Sequence, residues 1–254
     1  MKTVAIIQAR MGSTRLPNKV LADLGGRPML ARVIARVQQA QTIDEVVVAT
    51  SIAPQDDAIE VFCASQGISC FRGSEDDVLD RYYQAARAFM ADVVVRITAD
   101  CPLHDPRVID TIVSHFDPAR ADYVSNTVKR TYPDGLDTEV FSLAALERAW
   151  REAEWTSERE HVTPYIWKHP ELFRLDQVTQ PADLSALRWT VDEPRDLALV
   201  REVYRRLDGR DFTMSDVAAL VNDDDVLRMV NADIPGNEGY EISLRRDRSA
   251  RTGE

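Results

Sequence analysis

The sequence predicts an α/β fold, a mostly parallel sheet flanked by helices, and three observations predict it. Val4–Gln8, Val46–Thr50 and Val93–Ile97 are short, continuous apolar runs, the pattern of strands buried on both faces. Stretches with apolar residues at helical spacing separate them. The residues with chemistry to offer fall just past the runs: the loop ending at Lys19, the Thr50-Ser51 pair and Asp100. Open α/β sheets bind their ligands at the carboxyl ends of strands.

The elements follow in order. After Val4–Gln8, a helix is expected over Pro28–Ala40, with Met29, Leu30, Val33, Ile34 and Val37 on one face. Val46–Thr50 is the second strand. Ala58–Ser65 is helical and Gly67 stops it. Ile68–Phe71 is a brief strand. Asp76–Phe89 is a helix with Val78, Leu79, Tyr82, Ala86 and Phe89 inward, and Val93–Ile97 is the next strand. Pro106–Phe116 is helical and Tyr123–Ser125 extended, and Pro133-Asp134-Gly135 marks a turn. Glu139–Phe141 reads as a strand and Ser142–Glu154 as a helix. A helix over Ser157–Trp167 has Ser157 and Glu160 at capping-box spacing and Pro164 placed to kink it. Leu187–Val191 is the last expected strand, followed by helices over Glu193–Leu207 and Asp216–Val230. Residues 1–234 form one expected domain, and the polar, Arg-rich stretch 235–254 is expected to be mobile.

The chain has 254 residues, 44% apolar and 29% charged, enough for a sizeable core. Its longest apolar run is too short to cross a membrane. Lys2 leads straight into strand and loop, with no apolar region before a cleavage site, so a cytoplasmic chain is expected. Cys63, Cys70 and Cys101 are odd in number and lack CxxC spacing, which predicts reduced thiols and no structural zinc. A net charge of −11 argues against general nucleic-acid binding.

Against that acidic background the first loop gathers Arg10, Arg15 and Lys19 around Gly12, Ser13 and Thr14. Arginine supplies a planar fork of donors and lysine a point charge, both suited to phosphate. Gly12 lets the backbone approach a ligand. The loop therefore reads as a triphosphate cradle. It has neither the Gly-Lys-Ser/Thr ending of a P-loop nor G-x-G-x-x-G, which disfavours those two classes. Asp100, just past a strand, suits Mg²⁺ or serves as a turn or capping aspartate. Asp192, before Glu193-Pro194, suits a helix start, and the same residue can ligate a metal. Asp134, Asp137 and Glu139 crowd one polar stretch, either as hydroxyl-binding carboxylates or as a solvated turn. Glu160 either closes a capping box or faces a ligand, and His161 either contacts an acceptor or is structural.

The stretch Ile6–Lys19 resembles the opening motif of cytidylyltransferases that activate sugars for surface polysaccharides. The chain resembles in particular the spore-coat polysaccharide biosynthesis protein F family, related to CMP-KDO and CMP-acylneuraminate synthetases. Val47–Ser51, Arg72–Ser74, Arg96–Leu103, Pro133–Glu139, Arg159–Pro164 and Arg188–Pro194 are similar to that family, in family order. Asn18 stands where the family usually has glycine, and asparagine also tolerates a left-handed backbone.

The resemblance implies a nucleotide-diphospho-sugar transferase fold, Rossmann-like, with a small dimerisation excursion, and hence a homodimer. It implies a Mg²⁺-dependent transfer of CMP from CTP to a sugar acid or sugar phosphate, with pyrophosphate leaving. Arg15, Lys19, Asp100 and Asp192 become the expected catalytic residues, and Asp100 and Asp192 the Mg²⁺ ligands. Gln8, Ala9, Arg10, Met11, Gly12, Ser13, Arg15 and Lys19 would hold the nucleotide with Thr98 and Asp100; Thr50, Ser51, Arg72 and Gly73 would lie near base and ribose. The acceptor would meet Asp134, Asp137, Glu139, Glu160, His161 and Arg188. Another nucleoside triphosphate on the same fold, or a non-catalytic nucleotide-binding protein, are the alternative readings.

Overall fold

The computed structural model describes residues 1–207 and 209–252, with side chains for all of these except 251 and 252. The chain runs β1 (Thr3–Gln8), α1 (Met29–Val37), β2 (Glu45–Ser51), α2 (Asp57–Gln66), β3 (Ser69–Gly73), α3 (Val78–Ala88) and β4 (Val93–Thr98). It continues through α4 (Pro106–His115), β5 (Tyr123–Ser125), β6 (Glu139–Ser142), α5 (Leu143–Glu152), α6 (Thr156–His161), α7 (Pro164–Lys168) and β7 (Leu175–Gln177). Four helices finish it: α8 (Pro194–Leu207), α9 (Met214–Asn222), α10 (Asp225–Met229) and α11 (Glu238–Thr252).

The seven strands form one sheet in the order β3-β2-β1-β4-β6-β5-β7. β1 pairs in parallel with both β2 and β4, with Ile6 opposite Val47 and Arg96. Among the described residues, only β6 runs against its neighbours, β4 and β5. The α/β expectation with a mostly parallel sheet holds.

Strand side chains alternate between faces, so the apolar runs feed two cores. Ala5, Ile7, Val48, Val95 and Ile97 pack on one face with Met29, Leu30 and Val33 of α1 and with Leu199, Val200 and Val203 of α8. Val4, Ile6, Val47 and Val94 face the other way, against Leu79, Tyr82 and Ala86 of α3 and Leu146 and Ala149 of α5. The strand order places the ends of β1 and β4 side by side in mid-sheet.

Several expectations change. Leu187–Val191 is no sheet strand: it pairs with the turn at Asp134, whose carbonyl accepts from the N–H of Trp189 at 2.6 Å and of Thr190 at 3.1 Å. The run is apolar because Trp189 and Val191 are buried in the α1–α8 core. The seventh strand is β7, unforeseen because Leu175 and Asp176 are exposed and give no apolar run. The helix expected over 157–167 divides at Val162, which has φ 73°, and Pro164 begins α7. Its cap is not the Ser157–Glu160 pair: Glu158 Oε2 accepts from the N–H of Glu154 and Trp155, both at 3.3 Å. The helix expected over 216–230 divides into α9 and α10, and Asp224 starts the second by accepting from Leu227 N–H. In stretch 235–254, expected to be mobile, residues 238–252 are helix α11, seated on α6, and 253 and 254 lie outside the described residues. There Asp247 accepts from the N–H of Ser157 at 3.2 Å.

Candidate functional site

β1 releases the chain at Gln8, and a loop to Lys19 follows. The loop is held from below. Asp56, fully buried beside β2, accepts the N–H of Met11 at 2.7 Å and the hydroxyl of Ser51. Ser13 Oγ accepts from the N–H of Leu16, and Asn18 takes a left-handed turn at φ 60° into a 3₁₀ turn over Lys19–Leu21. Asn18 thus does in this chain what a glycine would do there.

That turn aims Lys19 inward. Its ammonium donates to Asp100 Oδ2 at 3.0 Å, Asp192 Oδ1 at 2.9 Å and the Val191 carbonyl at 2.7 Å, which uses all three of its protons. Burial works to lower the pKa of this ammonium, but Asp100 and Asp192 together outweigh it and hold it above its ordinary value. Burial likewise works against ionised Asp100, yet Lys19 and Thr98 bring its carboxyl down to about 2. Both groups are therefore charged at neutral pH.

Asp192 collects two further guanidinium contacts. Arg15 Nη2 lies 3.1 Å from its Oδ1, and Arg188 Nη2 donates to its Oδ2 at 2.9 Å. Arg188 is anchored below by fully buried Asp196, at 3.0 and 3.1 Å. Asp196 also caps α8, accepting the N–H of Asp192 and of Glu193 at 2.9 Å each. The aspartate read as a helix start thus sits at one, while the capping side chain belongs to Asp196.

Two cavities meet at this point. The first, of about 570 Å³, is lined by Gln8, Ala9, Arg10, Gly12, Ser13, Arg15, Lys19, Thr98 and Asp100, all expected on the nucleotide side, and by Asp192. The second, of about 460 Å³, is lined by Asp134, Asp137, Glu139, His161 and Arg188 of the expected acceptor set. Gln8, Arg15, Thr98, Asp100, His161, Asp192, Glu238 and Gly239 belong to both, so these residues form a common wall.

Other expected residues lie elsewhere. Glu160 lines the first cavity rather than the second. Met11 is partly buried against the core and lines neither. Thr50 and Ser51 are fully buried and are not among the cavity linings. Arg72 turns back onto its own sheet edge, donating to the carbonyls of Ser51 and Ala53 and pairing with Asp57 and Glu60. Gly73 is a packing position: a Cβ there would lie 3.0 Å from Arg81 and from Phe71. The structure does not bring Thr50, Ser51, Arg72 and Gly73 to the cavity, because β2 and β3 stand outward of β1. Through Asp56, Ser51 supports the loop instead.

The polar stretch after Tyr132 is tightly paired. Arg130 grips Asp137 with two bonds of 2.8 Å. Glu139 is buried, paired with Arg96, and accepts from Tyr123 Oη at 2.7 Å and from Thr163 Oγ1. Burial and nearby Asp137 push the Asp134 carboxyl up to about 6, against the pull of Arg130 and Arg188. Burial and Arg96 press the His161 imidazole down to about 4, so it is neutral at pH 7.

Sequence reasoning matches Arg81 only loosely, to an arginine in the nucleotide-side segment of CMP-KDO synthetase, and gives Glu238, Ile242 and Arg246 no role. Arg81 is 1% exposed, lines the first cavity and leaves its Nε without a partner. Gln8 Oε1 in the common wall is likewise unpartnered. Glu238, Ile242 and Arg246 reach the first cavity from α11. The signal for Arg81 was faint, one polar position on an otherwise apolar helix face.

The cysteines are free thiols. Among the described residues, no helix is long and apolar enough to cross a membrane, and no group of three or more His, Cys, Asp or Glu gathers as a metal cage. Asp100, just past β4, and Asp192, just before α8, nevertheless suit Mg²⁺, which prefers hard oxygens and completes its shell with waters and substrate phosphates.

Comparison with known proteins agrees with this arrangement. Residues 4–206 match the cytidylyltransferase family. The chain is 38% identical to the spore coat polysaccharide biosynthesis protein SpsF of Bacillus subtilis, over 85% of this chain and 92% of that one. It is 39% identical to an uncharacterised protein of Methanocaldococcus jannaschii, over 95% and 99%. Among solved structures, a cytidylyltransferase from Leptospira borgpetersenii superposes with a TM-score of 0.86 at 32% identity, covering 89% of this chain and 96% of that one. A CMP:2-keto-3-deoxy-manno-octonic acid synthetase complexed with CTP shares the fold, with a TM-score of 0.59 at 21% identity, over 81% of this chain and 99% of that one.

Proposed function

Because this chain belongs to the cytidylyltransferase family, we propose that it transfers CMP from CTP to a sugar acid or sugar phosphate, releasing pyrophosphate in the cytoplasm. The observation that carries this reading is the common wall, where Lys19 joins Asp100 and Asp192 between two adjoining cavities. A cradle of Arg10, Gly12, Ser13, Arg15 and Lys19 suits the triphosphate, and the second cavity suits a polyhydroxylated acceptor.

The chemistry joins an acceptor oxygen to the α-phosphorus of CTP and breaks the bond to pyrophosphate. Positioning and charge stabilisation supply most of the catalysis in such transfers. Arg15 would donate to the phosphate oxygens as pyrophosphate takes on charge, and Lys19, whose three protons are taken in this structure, would do so by exchanging a carboxylate bond for a phosphate one. Asp100 and Asp192 would hold Mg²⁺, which supplies neutralisation of phosphate charge. Asp192 would keep its orientation through Arg188 and the buried Asp196 below it. His161, neutral at pH 7, would meet the acceptor as a hydrogen-bonding group rather than a cation.

The similarity to a spore coat polysaccharide protein supports a place in making a surface polysaccharide or glycoconjugate. The family resemblance supports a homodimer. Light scattering on the purified chain measures that assembly.

The decisive experiment follows pyrophosphate release with CTP, GTP, UTP and ATP against nonulosonic acids and sugar phosphates. CTP- and Mg²⁺-dependent release with at least one acceptor is expected. Release that prefers another nucleotide would overturn the CTP assignment, and nucleotide binding with no release across the panel would favour a binding protein.

A further inference from the structure

Helix α11 lies beyond the stretch matched to the family, which ends at residue 206. It has two working faces. Ser243 and Asp247, 1% and 7% exposed, are turned onto α6: Ser243 Oγ donates to Glu160 at 2.6 Å, and Asp247 accepts from Ser157 N–H. Glu238, Ile242 and Arg246, at spacings of four, line the first cavity.

The cavity-facing groups are loosely held. Arg246 Nη1 is 3.9 Å from Glu160 Oε2, and Arg10 Nη2 is 4.0 Å from Glu160 Oε1, both at the limit of ion pairing. The Arg246 side chain is 64% exposed and that of Arg10 49%. Two guanidiniums thus flank one carboxylate at the cavity wall with donors to spare. Glu238, by contrast, is committed: its Oε2 accepts from Arg15 Nη1 at 2.7 Å. That bond occupies a cradle arginine with a carboxylate of the protein itself.

We propose that α11 is part of the nucleotide site: Arg246 binds the polyphosphate together with Arg10, and Glu238 is the carboxylate that a triphosphate displaces from Arg15. The inference rests on the nucleotide reading of the first cavity. It assigns the two residues effects of opposite sign. Arg246 adds a charge-assisted donor to an anionic ligand, whereas Glu238 competes with that ligand for Arg15.

The test measures CTP affinity of the full chain by titration calorimetry. Arg246→Gln should weaken binding roughly 10-fold, the usual scale of a charge-assisted hydrogen bond, and Arg246→Lys should restore part of it. Arg245→Gln, the same charge change at an exposed neighbour outside the cavity linings, should shift affinity by about twofold or less. Glu238→Gln should tighten binding severalfold. Point variants are used because α11 also caps α6, and thermal melting of each should match the parent.

Equal effects of Arg246→Gln and Arg245→Gln, no effect of either, or weaker binding by Glu238→Gln would overturn the proposal while leaving the nucleotide reading intact. If the parent chain binds none of CTP, GTP, UTP or ATP, the nucleotide reading fails and this inference falls with it.

Discussion

Lys19 donates to Asp192 Oδ1 at 2.9 Å, joining the first loop to a residue 173 positions later in the chain. The contact is possible because β1 and the Val191 segment meet at the same end of the sheet, and the Val191 carbonyl takes a second proton of the same ammonium. Loop, metal-suited carboxylate and helix start are therefore one unit. Disturbing any of them should be felt in both chemistry and stability.

Lys19→Met should lower the rate of pyrophosphate release by ~10²–10³, the cost of removing one preorganised charge donor. It also leaves Asp100 and Asp192 facing each other without their shared cation, at about 2 kcal/mol of stability. The cost stays below that of a fully enclosed pair because the two aspartate side chains are 26% and 21% exposed. Single-turnover kinetics and urea unfolding measure the two effects, and a rate near the parent's would remove Lys19 from the chemistry.

Asp100→Asn keeps the shape of the side chain but not its charge. Mg²⁺-dependent pyrophosphate release should be abolished while circular dichroism and melting still report a folded chain. Unchanged turnover would show that Asp100 has no part in the reaction.

Stability should carry two opposing pH slopes. His104 is fully buried, its Nε2–H donates to the Asp137 carbonyl at 3.2 Å while Nδ1 has no partner, and burial brings its imidazole from 6.5 down to about 4. The unfolded chain takes up that proton first, so His104 costs the fold about 3 kcal/mol as pH falls from 6.5 to 4. Asp134 acts in reverse. Its carboxyl is raised from 3.8 to about 6, so the folded chain holds that proton longer and loses about 3 kcal/mol as pH rises through this window. Asp134→Asn should therefore gain stability relative to the parent between pH 4.5 and pH 7. Urea midpoints at several pH values give the difference directly, and a pH-independent gap between variant and parent would contradict the raised carboxyl.

Gly135→Ala should be among the most damaging small substitutions. Gly135 sits at φ 111°, and a Cβ would fall 2.7 Å from both the Thr190 nitrogen and the Trp189 carbonyl carbon. Backbone on both sides cannot yield without moving the segment that carries Arg188 and Asp192. A loss of about 2–4 kcal/mol is expected, with a parallel loss of activity. Thermal melting that matches the parent would show that the turn relaxes freely.

The legible parts of the fold share one property: their environment is uniform along the segment. β1, β2 and β4 are buried on both faces, so each reads as an unbroken apolar run. β7 is exposed and leaves no such trace. Leu187–Val191 has the trace without the pairing, because Trp189 and Val191 fill a core while their backbone bonds go to a turn. In the site, Lys19 and both aspartates stood out as charges beside apolar runs. Ser51 and Arg72 have the residue types of a ligand loop, but their partners, Asp56 just before α2 and Asp57 and Glu60 within it, hold them to the fold, and spacing alone does not reveal that. Helix α11 was hidden because its seat on α6 is made by Ser243 and Asp247 rather than by an apolar stripe.

The wall common to the two cavities also bears on the order of events. Gln8, Arg15, Thr98, Asp100 and Asp192 are among the residues facing both spaces, so two bound molecules would touch across them with no protein group required as an intermediate carrier. A handoff through a nucleotidylated side chain has no purpose in such an arrangement. Initial-velocity lines at varied concentrations of both reactants should intersect rather than run parallel, and the configuration at phosphorus should invert once.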